Sequence, residues 1–140
     1  MPYLAIENLT KSFGEGTAKV NVLNGVNMTV DQGEMCTVLG QSGNGKSTLL
    51  NVVGGLDSAD GATLLVDGMN IAALTAEELS AYRRQYLGFV FQFYNLVPNL
   101  TVLENIQVDE YLSDSPLDRN ELLDVLGLKE LQSVQPAALC

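Results

Sequence analysis

The run Gly40-Gln41-Ser42-Gly43-Asn44-Gly45-Lys46-Ser47-Thr48 constrains this chain more than any other part of it. Its spacing, G-x-x-x-x-G-K-[S/T], is that of a backbone cradle for phosphate. Phosphate oxygens must approach the main-chain N–H groups closely, so the tight points of such a loop cannot carry a Cβ. Gly40, Gly43 and Gly45 meet that need. The loop must also open a helix, whose N-terminus adds partial positive charge. Lys46 is placed to set an ammonium on the β and γ phosphates, the Ser47 hydroxyl to ligate Mg²⁺, and Thr48 to reach the α phosphate.

The flanking pattern agrees. Residues 35–39 form a short continuous apolar run, the kind of strand buried on both faces of a sheet, and residues 47–53 read as a helix closed by Gly54 and Gly55. Upstream, residues 3–9 alternate as a strand, and residues 20–30 read as another, with Asn24-Gly25 as a possible turn. Residues 62–66 predict a strand ending in the hairpin turn Asp67-Gly68. Thr75 with Glu78, and Thr101 with Glu104, are capping-box pairs, so helices are expected from about residue 76 to 85 and from Val102 onward. Residues 88–91 read as a further strand. Residues 118–126 read as an amphipathic helix with Leu122, Leu123, Val125 and Leu126 as its apolar set, ended by Gly127.

With 140 residues the chain is long enough for one domain and hardly for two. Its net charge of −10, from 17 acids against 7 bases, argues against a nucleic-acid partner, which calls for a basic face. It does not argue against a nucleotide, whose phosphates are gripped locally. No apolar run reaches membrane-spanning length, and the first residues show no secretory leader. Cys36 and Cys140 have no metal-ligand spacing, and Cys36 reads as a small buried residue. A reducing cytoplasm fits.

The loop and the segments around it, taken in order, resemble the ATPase subunits of ABC transporters. Residues 40–48 resemble their Walker A loop. The stretch Asn8-Leu9-Thr10-Lys11-Ser12-Phe13-Gly14 resembles the segment carrying an adenine-stacking aromatic. Residues 49–57 resemble the helix after Walker A, Gly88-Phe89-Val90-Phe91-Gln92 the Q-loop, and residues 95–105 the stretch after it. The likeness is nearest to the subfamily that powers lipoprotein release and macrolide or peptide export. It implies an α/β fold, a P-loop NTPase core with an N-terminal antiparallel β subdomain, here lacking its C-terminal part. Residues 1–140 would then be a partial nucleotide-binding domain ending just before the signature motif.

The resemblance also implies roles. Phe13 would stack on adenine. Gln41, Ser42 and Asn44 would line the phosphate cradle with the three glycines, Lys46, Ser47 and Thr48. Gln92 would sense the γ-phosphate and Mg²⁺, making it a metal-site and catalytic residue beside Lys46. Phe93, Tyr94 and Leu96 would meet a membrane subunit. The implied partners are a transmembrane permease and a second ATPase subunit, with ATP at the dimer interface on the cytoplasmic face of the inner membrane.

Three groups that the family uses for hydrolysis are absent from these residues. There is no histidine. No Leu-Ser-Gly-Gly signature occurs: Pro136-Ala137-Ala138-Leu139 resembles its lead-in, but Cys140 stands where Ser is expected. No apolar strand ends in Asp-Glu. Residues 64–67 have the apolar run but Gly68 follows, and 106–110 continue a capped helix through Asp109 and Glu110. The remaining acids, Asp114, Asp118, Glu121 and Asp124, read as a solvated face. Binding of ATP and Mg²⁺ without turnover by these residues alone is the expectation. The alternatives are a non-catalytic nucleotide-binding regulatory module or remnant, and a small P-loop kinase with Arg83 and Arg84 as its basic lid.

Overall fold

A computed structural model describes residues 1–138; the expectations for Leu139 and Cys140 lie outside the described residues. The chain divides into two compact units, 1–87 and 88–140.

The first unit is built on an antiparallel sheet of β1 (Leu4–Phe13), β2 (Val20–Val30), β3 (Gly61–Val66) and β4 (Met69–Asn70), in the order β2-β1-β3-β4. The expected β subdomain is therefore present. Ile6 and Leu9 are both buried although three residues apart, which strict alternation forbids. A bulge resolves this. Asn8 has φ of 52°, and the register steps from Ile6↔Met28 to Leu9↔Val26, so β1 carries one extra residue. Asn8 N–H donates to Asn27 Oδ1 at 2.8 Å, and Asn27 Nδ2 donates to the Gly25 carbonyl at 2.8 Å, which closes the bulge. Asn24-Gly25 is consequently no turn. Gly25, with φ of 68°, supplies a second bulge within β2, where the register steps from Leu9↔Val26 to Thr10↔Asn24.

Asp67-Gly68 does form the expected hairpin turn, with φ of 49° and 77°, joining Val66↔Met69. Positive φ at both central positions is what a type I′ turn requires. Helix α1 (Lys46–Val53) packs Leu49 and Val52 into the core beside Leu64, and α2 (Ala76–Tyr86) adds Tyr82. The Tyr82 hydroxyl donates to the Val53 carbonyl at 3.1 Å and Arg83 Nη1 to the Gly55 carbonyl at 2.7 Å, so α2 closes the C-terminal end of α1. Burial, with a smaller contribution from Tyr3, raises the Tyr82 phenol to about 12.

The second unit holds α3 (Val102–Leu112) and α4 (Arg119–Val125). Both capping boxes form as expected: Thr75 Oγ1 accepts from Glu78 N–H, Thr101 Oγ1 accepts from Glu104 N–H, and each glutamate accepts from its threonine's N–H. Asp118 caps α4 by accepting from Glu121 N–H at 2.9 Å, and Asp124 pairs with Lys129 at 3.0 Å, so two of the expected surface acids have structural partners. Of the apolar set expected on α4, Leu123 is buried while Val125 and Leu126 are exposed.

Residues 35–39 and 88–91 are not strands. An interior parallel strand needs ladder partners on both sides. The only sheet among the described residues is antiparallel and includes neither segment, so their backbones stay irregular. Met35 is 94 % exposed and Val90 fully so, and Cys36 is exposed rather than buried.

Candidate functional site

The phosphate loop leaves residue 39 as irregular chain and enters α1 at Lys46. Gly43 and Gly45 have φ of 83° and 79°, a conformation that opposes a side chain. Gly45 is constrained a second way. A Cβ there would lie 2.9 Å from Val22 Cγ1, 3.0 Å from Leu23 Cδ2 and 3.1 Å from the Val22 carbonyl. The loop is thus seated directly on β2, and only glycine fits the contact. Asn44 N–H donates to the Gln41 carbonyl at 3.3 Å and closes the turn.

Lys46 reaches back over this turn. Its ammonium donates to the carbonyls of Gly40 at 2.8 Å and Gln41 at 2.5 Å, six and five residues upstream. The positive charge is therefore held at the mouth of the loop, beside the N-terminal end of α1, where the helix dipole adds to it. Gln41, Ser42 and Asn44 are exposed around it; Ser47 is exposed and Thr48 half-buried on the first turn of α1. A helix N-terminus beside one ammonium can accept a polyphosphate, and residues 40–48 carry no carboxylate to repel it.

Mg²⁺ is a hard ion that takes oxygen ligands and keeps several waters. Among the described residues no group of three or more His, Cys, Asp or Glu side chains is placed to hold a metal. The loop offers neutral oxygens, among them the exposed Ser47 hydroxyl on the first turn of α1, and no carboxylate. That donor set suits an ion arriving with the phosphates rather than a protein cage.

Phe13 ends β1 and is 44 % exposed, as a stacking ring must be. Lys11 Nζ lies 5.0 Å from its ring centroid. Lys11 is itself buried, paired with Asp57 at 2.7 Å, and it donates to the Ser58 carbonyl at 2.6 Å. Asp60 accepts from the Ser12 N–H at 2.8 Å and from the Ser12 hydroxyl. The hydroxyl bond, chiefly, holds the Asp60 carboxyl below its ordinary value. Lys11, Asp57 and Asp60 thus join the surroundings of Phe13, a placement that spacing along the chain does not reveal. The available signal was a lysine two residues before Phe13 on an otherwise apolar strand face.

Gln92 lies in the second unit, exposed, in an irregular stretch, and so apart in the chain from the unit that carries the loop. Phe89 and Phe91 stack with centroids 5.4 Å apart, and Phe93, Tyr94 and Leu96 are exposed. Downstream, Asn105 ties the following turn together. Its Oδ1 accepts from Val97 N–H at 2.8 Å, and its Nδ2 donates to the carbonyls of Val97, Leu100 and Thr101. Arg83 is committed to Gly55 at the end of α1, which removes it from the basic lid a kinase would need.

A glycine loop seated on a sheet, with its lysine folded back over it and a helix behind it, has the spacing and placement of a P-loop. The family model for ABC transporters matches residues 23–138, and the chain belongs to that family. It is 40 % identical over 139 residues to the lipoprotein-releasing system ATP-binding protein LolD of Bacteroides fragilis (strain YCH46), covering 96 % of this chain and 62 % of that protein. It is also 40 % identical to the macrolide export ATP-binding/permease protein MacB of Marinobacter nauticus, covering 99 % of this chain and 22 % of the relative. Among solved structures, the dimeric bacterial ABC transporter cassette MJ0796 superimposes with a TM-score of 0.85 at 31 % identity, over 98 % of this chain and 63 % of that one. The same cassette in a dimeric post-hydrolysis state bound to ADP and Pi gives 0.83. The chain thus spans about three fifths of the cassette-length relatives it matches.

Proposed function

We propose that this chain is the N-terminal part of the nucleotide-binding domain of an ABC transporter ATPase subunit of the lipoprotein-releasing or macrolide-export type. It binds ATP with Mg²⁺ through residues 40–48, with Phe13 stacked on the base. Ser47 supplies one oxygen to the ion, and Gln92 completes the metal site and reports on the γ-phosphate. In the intact assembly, two such subunits dimerise around ATP and drive a membrane permease from the cytoplasmic face of the inner membrane. Phe93, Tyr94 and Leu96 belong to the surface facing that permease. No helix among the described residues is long and apolar enough to cross a membrane.

The observation that carries the reading is the loop itself: Gly45 seated on β2 and the Lys46 ammonium held over Gly40 and Gln41. These 140 residues grip phosphate but hold no carboxylate strand for the attacking water and no histidine. They bind ATP without turning it over, because phosphoryl transfer to water depends on positioning that water. Titration with a fluorescent ATP analogue tests this. Saturable, Mg²⁺-dependent binding that Lys46→Ala abolishes is the expected result. Binding untouched by Lys46→Ala would sink the site, and Lys46-dependent hydrolysis at ordinary enzymatic rates would sink the no-turnover claim.

A further inference from the structure

We infer that Lys11 is a positioning residue for Phe13: its ammonium covers one face of the ring and ties it to the phosphate-loop helix, so that base stacking depends on a charge at the far end of α1. This rests on the reading of Phe13 as the stacking ring. The placement follows from the β1 bulge. The extra residue at Asn8 puts Leu9 on the core side, and period-two alternation then sends Lys11 and Phe13 to that same side. Lys11 meets the rim of the core, where a lysine is buried only with partners. The partners, Asp57 and Ser58, come from the short segment between the end of α1 at Val53 and the start of β3 at Gly61. That segment also holds the next residue of β1, because Asp60 accepts twice from Ser12. Both residues before Phe13 are therefore fastened to the segment that continues from the helix bearing Lys46. With the ammonium 5.0 Å from the ring centroid, one face of Phe13 is occupied and the open face is the one left for a base.

A nucleotide that meets the phosphate loop and Phe13 together is sensitive to Lys11 on its base side only. ATP and inorganic tripolyphosphate separate the two sides. In the full chain, Lys11→Met is expected to weaken ATP binding about fivefold, in line with a partly desolvated cation–π contact, and to leave tripolyphosphate affinity unchanged. Lys11→Arg keeps the cation and is expected to recover most of the ATP affinity. Because Lys11→Met strands the Asp57 carboxylate, the double variant Lys11→Met with Asp57→Asn serves as the folding control; it restores thermal stability and keeps the ATP-specific loss.

Phe13→Ala separates the inference from its premise. If Phe13→Ala leaves ATP affinity intact, the stacking reading fails. If Phe13→Ala weakens ATP but Lys11→Met does not, the positioning inference alone is overturned. Equal losses for ATP and tripolyphosphate in Lys11→Met, or recovery of ATP affinity in the double variant, would also overturn it, since either marks a general structural effect.

Discussion

The two units secure their helices by different means. In the first, α1 and α2 lie on a sheet whose inner face is filled by Ile6, Leu9, Leu64, Leu49, Val52 and Tyr82. In the second, Leu123 is the buried hydrophobic side chain among the described residues, and α3 is held by polar closure of its end. Beyond the capping box, Val102 N–H donates to the Val134 carbonyl at 2.8 Å and Leu103 N–H to that of Gln132 at 3.0 Å, which satisfies further unpaired donors of the first turn. A cap fixes where a helix begins and contributes about 1 kcal/mol. Burial of a large side chain contributes roughly 2 kcal/mol each and adds over a contiguous core. The phosphate loop is attached to the unit held by burial, the Gln92 stretch to the unit held by caps.

The largest test of that contrast is Leu64→Ala. Leu64 is 1 % exposed at the centre of the sheet, and its truncation is expected to destabilise the first unit by about 3 kcal/mol. Hydrogen exchange at β1 and β3 amides reads this directly; a change below about 1 kcal/mol would mean the sheet face is not the unit's main support.

Gly45→Ala comes next. Strain at positive φ and the clash with Val22 together are expected to cost about 2–3 kcal/mol and to remove ATP binding. Gly43→Ala, with positive φ but nothing within 4 Å, should cost about 1 kcal/mol. Equal effects in the two variants, by urea midpoint, would show that seating on β2 is irrelevant.

Smaller again are the caps. Thr75→Ala and Thr101→Ala each remove about 1 kcal/mol. The loss of helicity, read by circular dichroism, should be greater for Thr101, whose helix has less buried surface behind it. The reverse order would break the comparison.

The smallest effects are pH-dependent. The Thr75 N–H and hydroxyl hold Glu78 below its ordinary 4.5, and Thr101 does the same for Glu104. Lowered folded values mean the caps' charged contribution is complete above 4.5 and fades as pH falls through the folded values. Acid titration of helicity should show this fading in wild type and lose it in the double variant Glu78→Gln with Glu104→Gln. At the other extreme, Tyr82, raised from 10 to about 12, contributes stability fully present below 10 and lost as pH rises through 12. In Tyr82→Phe that alkaline loss should flatten, which thermal melts between those pH values would detect.

Much of this was legible in the residues because it depends on near neighbours. The capping boxes need a threonine and a glutamate three apart and the hairpin needs Asp67-Gly68, and these formed as read; the glycine loop likewise leads into a helix at Lys46. The misreadings are of one kind. Residues 35–39 and 88–91 have strand composition but no ladder partners in the described sheet, and Cys36 followed its segment to the surface. Asn24-Gly25 has turn composition but became a bulge, because β2 had to keep register with a bulged β1. Strand identity is a property of pairing, which no local window contains.

The sequence by itself determined the phosphate loop, its helix, the capped helix starts and the family likeness, since each rests on contacts between residues a few positions apart. The tertiary structure alone decided that Gly45 is seated on Val22, that Arg83 closes α1 rather than a lid, and that Lys11 lies over Phe13 in the grip of Asp57. Those contacts join residues 23, 28 and 46 positions apart. Only the folding of β1 with its bulge, and the packing of two helices on the sheet, brings such residues within reach.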